Sequence, residues 1–167
     1  MCKMEHVSDA GRDRTRWLTA DEEAAWRALS GAMDRLRWAL ECQLQRDAGL
    51  SFIEYYALAM LSERPEHTMR MSELAALTNA SLSRLSHLVK RLENRGLVRR
   101  EPDPTDGRFT NAIMTPKGYA KLVDSAPDHV HSVRALVIDE FDPDEIAQLR
   151  SLAARIVARL DNPPAAD

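Results

Sequence analysis

Residues 70–118 constrain this chain more than any other stretch, because a short helix, a polar break, a two-faced helix and a turn-rich hairpin follow one another there. In the second helix Leu82, Leu85, Leu88, Val89 and Leu92 recur at helical spacing and predict one buried side. At about 100° per residue, the opposite side centres on Ser83, His87 and Lys90, flanked by Arg84, Ser86 and Arg91. All six can donate hydrogen bonds and none is a carboxylate. Ser81 is the expected N-cap, satisfying orphan amides at the end of the helix that would approach DNA, and Gly96 is the expected stop. A helix of this kind can read a major groove. Read instead as a solvated amphipathic helix, its charges would serve solubility alone.

The hairpin adds an independent constraint. Leu97–Arg100 and Phe109–Thr115 can each be extended, and Pro102, Pro104, Asp106 and Gly107 between them form turns. Arg108 at the tip is placed to reach a phosphate or a narrow minor groove. A salt bridge to Asp103 or Asp106 is the competing role.

The run Leu88-Val-Lys-Arg-Leu-Glu-Asn-Arg-Gly-Leu-Val98, followed by Asp103-Pro-Thr-Asp-Gly-Arg108, resembles the winged-helix core of the MarR family of bacterial transcriptional regulators. The similarity is tight over residues 71–118 and looser, by helix order and length, over 19–160. The resemblance implies a mainly α fold, with a winged helix-turn-helix DNA-binding domain, a small β-hairpin wing and N- and C-terminal dimerisation helices. It makes the helix opening at Ser81 the recognition helix and Arg108 the wing-tip arginine. The DNA-contact set expected is therefore Ser81, Ser83, Arg84, Ser86, His87, Lys90, Arg91 and Arg108. Asn79 stands where a glycine is common in the turn, a substitution Asn permits because it accepts left-handed backbone.

Charge distribution agrees with a protein that meets DNA with one face. The chain carries a net −3, yet residues 70–100 hold seven Arg or Lys against two Glu. Two cysteines are too few for a disulfide framework and fit a reducing cytoplasm. No apolar run approaches membrane-spanning length, and the N-terminus lacks a signal-peptide core, so no membrane association is expected.

Thr19-Ala-Asp-Glu22 predicts a helix start, and Trp26, Leu29, Met33, Leu36, Leu40 and Leu44 then step by three and four toward Ala48-Gly49. Ser51–Glu63 predicts a second helix, with Phe52, Tyr55, Tyr56, Leu58 and Leu61 mostly inward, ended by Arg64-Pro65. Pro116 opens a helix toward Ile138–Phe141 that Pro127 should kink or restart. Asp142-Pro-Asp-Glu145 opens another, with Ile146, Leu149, Leu152, Ile156, Val157 and Leu160 on one stripe. The division expected is an N-terminal extension (1–18), a dimerisation helix (19–48), the winged helix-turn-helix (49–115), C-terminal dimerisation helices (116–160) and a frayed tail (161–167). Apolar stripes at opposite ends of the chain favour a homodimer over an intramolecular helix pair. A two-fold dimer would present two recognition helices to a palindromic operator in double-stranded DNA.

The resemblance also implies a small aromatic or anionic effector between the dimer helices and the DNA-binding lobe, with Trp38, Tyr55, Tyr56, Met60 and His67 as candidate pocket residues. Core packing is the simpler role for each. Cys42, beside Glu41 in a helix, is expected to be an inert packed thiol rather than a redox sensor. The spacing of His129 and His131 does not suit one helical face, so no metal or other cofactor is expected. No phosphate-binding glycine loop, nucleophile elbow or metallohydrolase His-Glu pair supports an enzyme. The expected function is ligand-responsive repression. The alternatives are an architectural DNA binder of shallow sequence discrimination and a winged-helix protein-interaction module without DNA affinity.

Overall fold

A computed structural model describes residues 16–162; most of the expected N-terminal extension and tail, with Cys2 and His6, lie outside them. Helix α1 (Ala20–Ala48) opens on the predicted box, with Glu22 N–H donating to Thr19 Oγ1 at 3.3 Å and Thr19 N–H to Glu22 Oε2 at 2.8 Å. The chain clusters into two units, one ending at Arg35 and the other beginning at Leu36. In the first, Trp26, Leu29 and Met33 are exposed; in the second, Leu40 and Leu44 of the same helix are buried. Cys42 is exposed, not packed as expected. It lies two residues from both Leu40 and Leu44, about 200° round the helix from each.

Helix α2 (Phe52–Ser62) carries a capping box that joins Ser51 and Glu54. Leu58 and Leu61 are fully buried, while Phe52, Tyr55 and Tyr56 are half-buried. After a short 3-10 turn at Pro65–His67, strand β1 (Thr68–Arg70) leads into α3 (Met71–Leu77) and α4 (Leu82–Asn94). Strands β2 (Val98–Pro102) and β3 (Thr110–Met114) follow. The sheet is three-stranded and antiparallel in the order β1-β3-β2, with Thr68 opposite Ile113 and Val98 opposite Met114. The wing is thus more than the expected hairpin: three residues of β1, too few to show a two-residue period, brace β3 on its other edge.

The core lies between α2, α3, α4 and the sheet, where Leu58, Leu61, Leu74, Leu85, Val89 and Leu92 are fully buried beside Met69, Leu97, Val98 and Met114. Leu82, expected on the buried side, is 58 % exposed. It occupies the first turn of α4, one turn short of Leu85, where the packed seam begins.

Helix α5 (Pro116–Leu136) runs through Pro127 without the restart expected there. Pro127 is exposed, and so is Val123, whose carbonyl loses its helical partner; water can satisfy that carbonyl and the helix survives. At its other end α5 closes so tightly on the residue that leads into β2 that a Cβ on Gly118 would fall 2.0 Å from the Leu97 carbonyl oxygen. Helix α6 (Pro143–Asp161) starts on the predicted Asp142–Glu145 capping box, and its Leu149, Leu152, Ile156, Val157 and Leu160 are all exposed. No helix among the described residues is long and apolar enough to cross a membrane.

Leu85→Ala removes a fully buried side chain beneath α4. It should cost about 2–5 kcal/mol of folding free energy, read as a lower urea midpoint at unchanged slope.

Candidate nucleic-acid interface

The angle between α3 and α4 is set by three residues. Thr78, buried, donates its Oγ1 to the Leu74 carbonyl at 2.7 Å, and Ala80 N–H donates to the Ala75 carbonyl at 2.9 Å. Asn79 between them is left-handed, φ 49°, as its side chain permits. Ser81 then caps α4, its Oγ accepting the Arg84 N–H at 3.3 Å. At the far end Gly96 takes φ 71°, and the chain turns into β2.

With Leu85, Leu88, Val89 and Leu92 buried, α4 turns Ser83, Arg84, His87, Lys90 and Arg91 to the outside. These five and Ser81 share an exposed, carboxylate-free surface. Ser86 does not join them. It is half-buried, 3.4 Å from Arg100 Nη1, and Arg100 is held in turn by Glu93 through its Nε at 2.8 Å and its backbone N–H at 3.0 Å. Arg91 is exposed yet tethered, its Nε donating to Glu54 Oε1 at 3.0 Å. Beside the helix a concavity of about 370 Å³ is lined by Arg37, Asn79, Arg84, His87 and Arg91 among others, an electropositive hollow.

The wing is organised by Asp103. Its nearly buried carboxylate accepts from Arg70 Nε at 2.9 Å, Thr105 N–H at 2.9 Å, Thr105 Oγ1 at 2.6 Å and Asp106 N–H at 3.2 Å. The Thr105 hydroxyl and amide, then Arg70, hold this carboxyl well below the usual carboxylate range. Arg70 also lies over the Phe109 ring, 4.6 Å from its centroid. Arg108 does not touch Asp103. It forks onto Asp106, with Nε at 2.9 Å and Nη2 at 2.6 Å, while 85 % of its side chain stays exposed. The pair lowers the Asp106 pKa and raises that of Arg108. Such an exposed pair can open when a stronger anion arrives.

The five residues expected around a ligand have different surroundings. Trp38 is 70 % exposed, Met60 packs on the core, and Tyr56 stacks on Phe52 with centroids 6.3 Å apart. Tyr55 lies on His129, centroids 4.4 Å apart, and burial lowers the His129 pKa. His129 Nδ1 donates to Gln43 Oε1 at 3.2 Å. His67 stacks on Tyr119 and donates from Nδ1 to the Ser62 carbonyl at 3.2 Å. Among the described residues no group of three His, Cys, Asp or Glu side chains is placed to hold a metal. Sequence reasoning missed Glu54 and Arg70, each of which holds a partner more than thirty residues away. For Glu54 a signal existed, since Ser51-x-x-Glu54 is a capping-box pattern.

Residues 48–108 match the sequence profile of the MarR family. The chain is 44 % identical to Sco3205 of Streptomyces coelicolor, a MarR family transcriptional regulator crystallised in complex with DNA; the TM-score is 0.85 over 93 % of this chain and 96 % of that one. It is 30 % identical over 114 residues to the HTH-type transcriptional regulator PecS of Dickeya dadantii, spanning 68 % of each chain. To the transcriptional repressor MprA of Escherichia coli K12 it is 25 % identical over 113 residues, which span 68 % of this chain and 64 % of that relative.

The Asp103 geometry has a pH signature. Free aspartate titrates at about 3.9, and the folded value here is depressed. The carboxylate's contribution to the wing is therefore fully present above that pH and is lost as pH falls through the lower folded value. In a carbon-13 titration the Asp103 carboxyl should remain ionised where free aspartate is half protonated. Titration at the free value would contradict the network.

Proposed function

Because this chain belongs to the MarR family, we propose that it is a sequence-specific DNA-binding transcriptional regulator acting in the cytoplasm as a homodimer on a palindromic operator. The observation that carries this reading is the face of α4, where five donor side chains and no carboxylate stand outward over a sealed leucine seam. Ser83, Arg84 and His87 lie toward the capped end of α4, which enters the groove first, and are assigned to base edges. Lys90 and Arg91 are assigned to phosphates. On encountering DNA, Arg108 exchanges Asp106 for the minor groove, which suits a weakly hydrated guanidinium.

Two-fold pairing follows from the apolar faces left bare on a single chain, Trp26, Leu29 and Met33 of α1 and Leu149 to Leu160 of α6. Repression is the assigned mode, as in the name of the MprA relative. A dimer seated on an operator occludes the promoter, and an effector that favours another spacing of the recognition helices releases it. We assign a small aromatic or anionic effector to the half-buried surface of Tyr55, Tyr56 and His129. Trp38 stands exposed, Met60 belongs to the core and His67 is tied to Ser62.

Sedimentation at micromolar concentration should give about twice the 18.8 kDa chain mass; a stable folded monomer would overturn the dimer. Arg84→Ala should cost ~1–3 kcal/mol of operator affinity and relax preference at one base pair per half-site. Lys90→Ala should weaken operator and random duplex alike. Identical behaviour of the two variants across single-base operator changes would refute this division of roles.

A further inference from the structure

Glu54 stands in the first turn of α2, only 6 % exposed, and its carboxylate does more than cap that helix. Oε2 accepts the Ser51 N–H at 3.0 Å and lies 3.6 Å from Arg95 Nη1, while Oε1 accepts Arg91 Nε at 3.0 Å. Arg91 is in the last turn of α4 and Arg95 is its C-cap, four residues on, so one carboxylate grips both from the neighbouring helix. A capping box works as well with glutamine, so the cap explains neither the charge nor the two arginines. The guanidinium is a planar fork. Binding its Nε edge to Glu54 fixes the plane of Arg91, and no other hydrogen bond engages this side chain among the described residues. Arg91 also lines the electropositive hollow with Arg84 and His87.

We propose that Glu54 is a positioning residue for DNA recognition: it orients the Arg91 guanidinium and holds α4 at one register, so that the phosphate anchor and the base-reading residues engage together. This rests on the DNA-binding reading above. A negative charge beneath a DNA-binding face also repels DNA, so its removal should favour non-specific binding. Discrimination and bare affinity should therefore move apart.

The test is Glu54→Gln, which keeps the capping box and removes the charge. The probes are a duplex selected by the wild-type protein from a randomised pool and a scrambled duplex of the same composition, with binding read by fluorescence anisotropy. Selected-duplex affinity should fall about tenfold, the scale of one charge-assisted hydrogen bond, while scrambled-duplex affinity holds or rises. Arg91→Ala should lower the ratio of the two affinities similarly, and adding Glu54→Gln to it should lower the ratio by less than Glu54→Gln does alone, since only the Arg95 contact is then left to lose. Arg91→Lys keeps the charge without the fork, and it should lose discrimination at wild-type affinity for scrambled DNA. That variant leaves the cap intact, and it decides the matter if Glu54→Gln does not fold. Parallel changes in both affinities, an unchanged ratio, or additive losses in the double variant would overturn the proposal. A wild-type protein that selects no duplex would remove the DNA-binding reading and this one with it. An unchanged ratio in a protein that does select would remove this one alone.

Discussion

Four side chains, Leu85, Leu88, Val89 and Leu92, are at most 3 % exposed, and their burial fixes the rotation of α4 about its own axis. A helix carries its residues at fixed angular steps, so sealing one face leaves no freedom in what the other presents. Ser83, Arg84, His87, Lys90 and Arg91 face outward for that reason. Leu58 and Leu61 from α2, Leu74 from α3, and Leu97, Val98 and Met114 from the sheet region complete the same core. The hydrophobic effect has no direction of its own, but here it aims a polar surface.

Charged contacts add what apolar packing cannot, namely position along the helix and orientation of individual guanidinium groups. Glu54 ties α2 to α4, Glu93 ties the end of α4 to Arg100 of β2, and Asp103 ties the wing to Arg70 of β1. Each carboxylate is half-buried or more, and each holds an arginine in a defined pose. Arg108 contrasts with these. Its carboxylate partner Asp106 is half-buried too, but the Arg108 side chain itself is 85 % exposed, which leaves the wing-tip cation available for exchange.

Much of this architecture is legible in the amino-acid sequence wherever the signal is local. Ser81, Asn79 and Gly96 announce a cap, a left-handed turn and a stop through their own backbone chemistry, and Asp142-Pro-Asp-Glu145 announces a helix start in four residues. What sequence alone does not reveal is non-local or depends on solvent. Strand β1 is a strand only because β3 pairs with it. Pro127 sits within a helix at an exposed position, where water can satisfy the carbonyl it leaves unpaired at Val123, a fact of burial rather than of sequence. Leu82 has the right period for the core but lies at the end of the seam. Candidate ligand residues can be picked by type, and type does not say that Tyr55 meets His129 while His67 meets Tyr119.

The central claim is that the outward face of α4, doubled by two-fold pairing, reads DNA. Hydroxyl-radical footprinting on a duplex selected by the wild-type protein tests it most directly. The account predicts two protected patches related by a dyad, with half-site centres about one helical turn apart and added protection in the flanking minor grooves where Arg108 lies. Uniform protection without a dyad, or protection confined to one half-site, would contradict it.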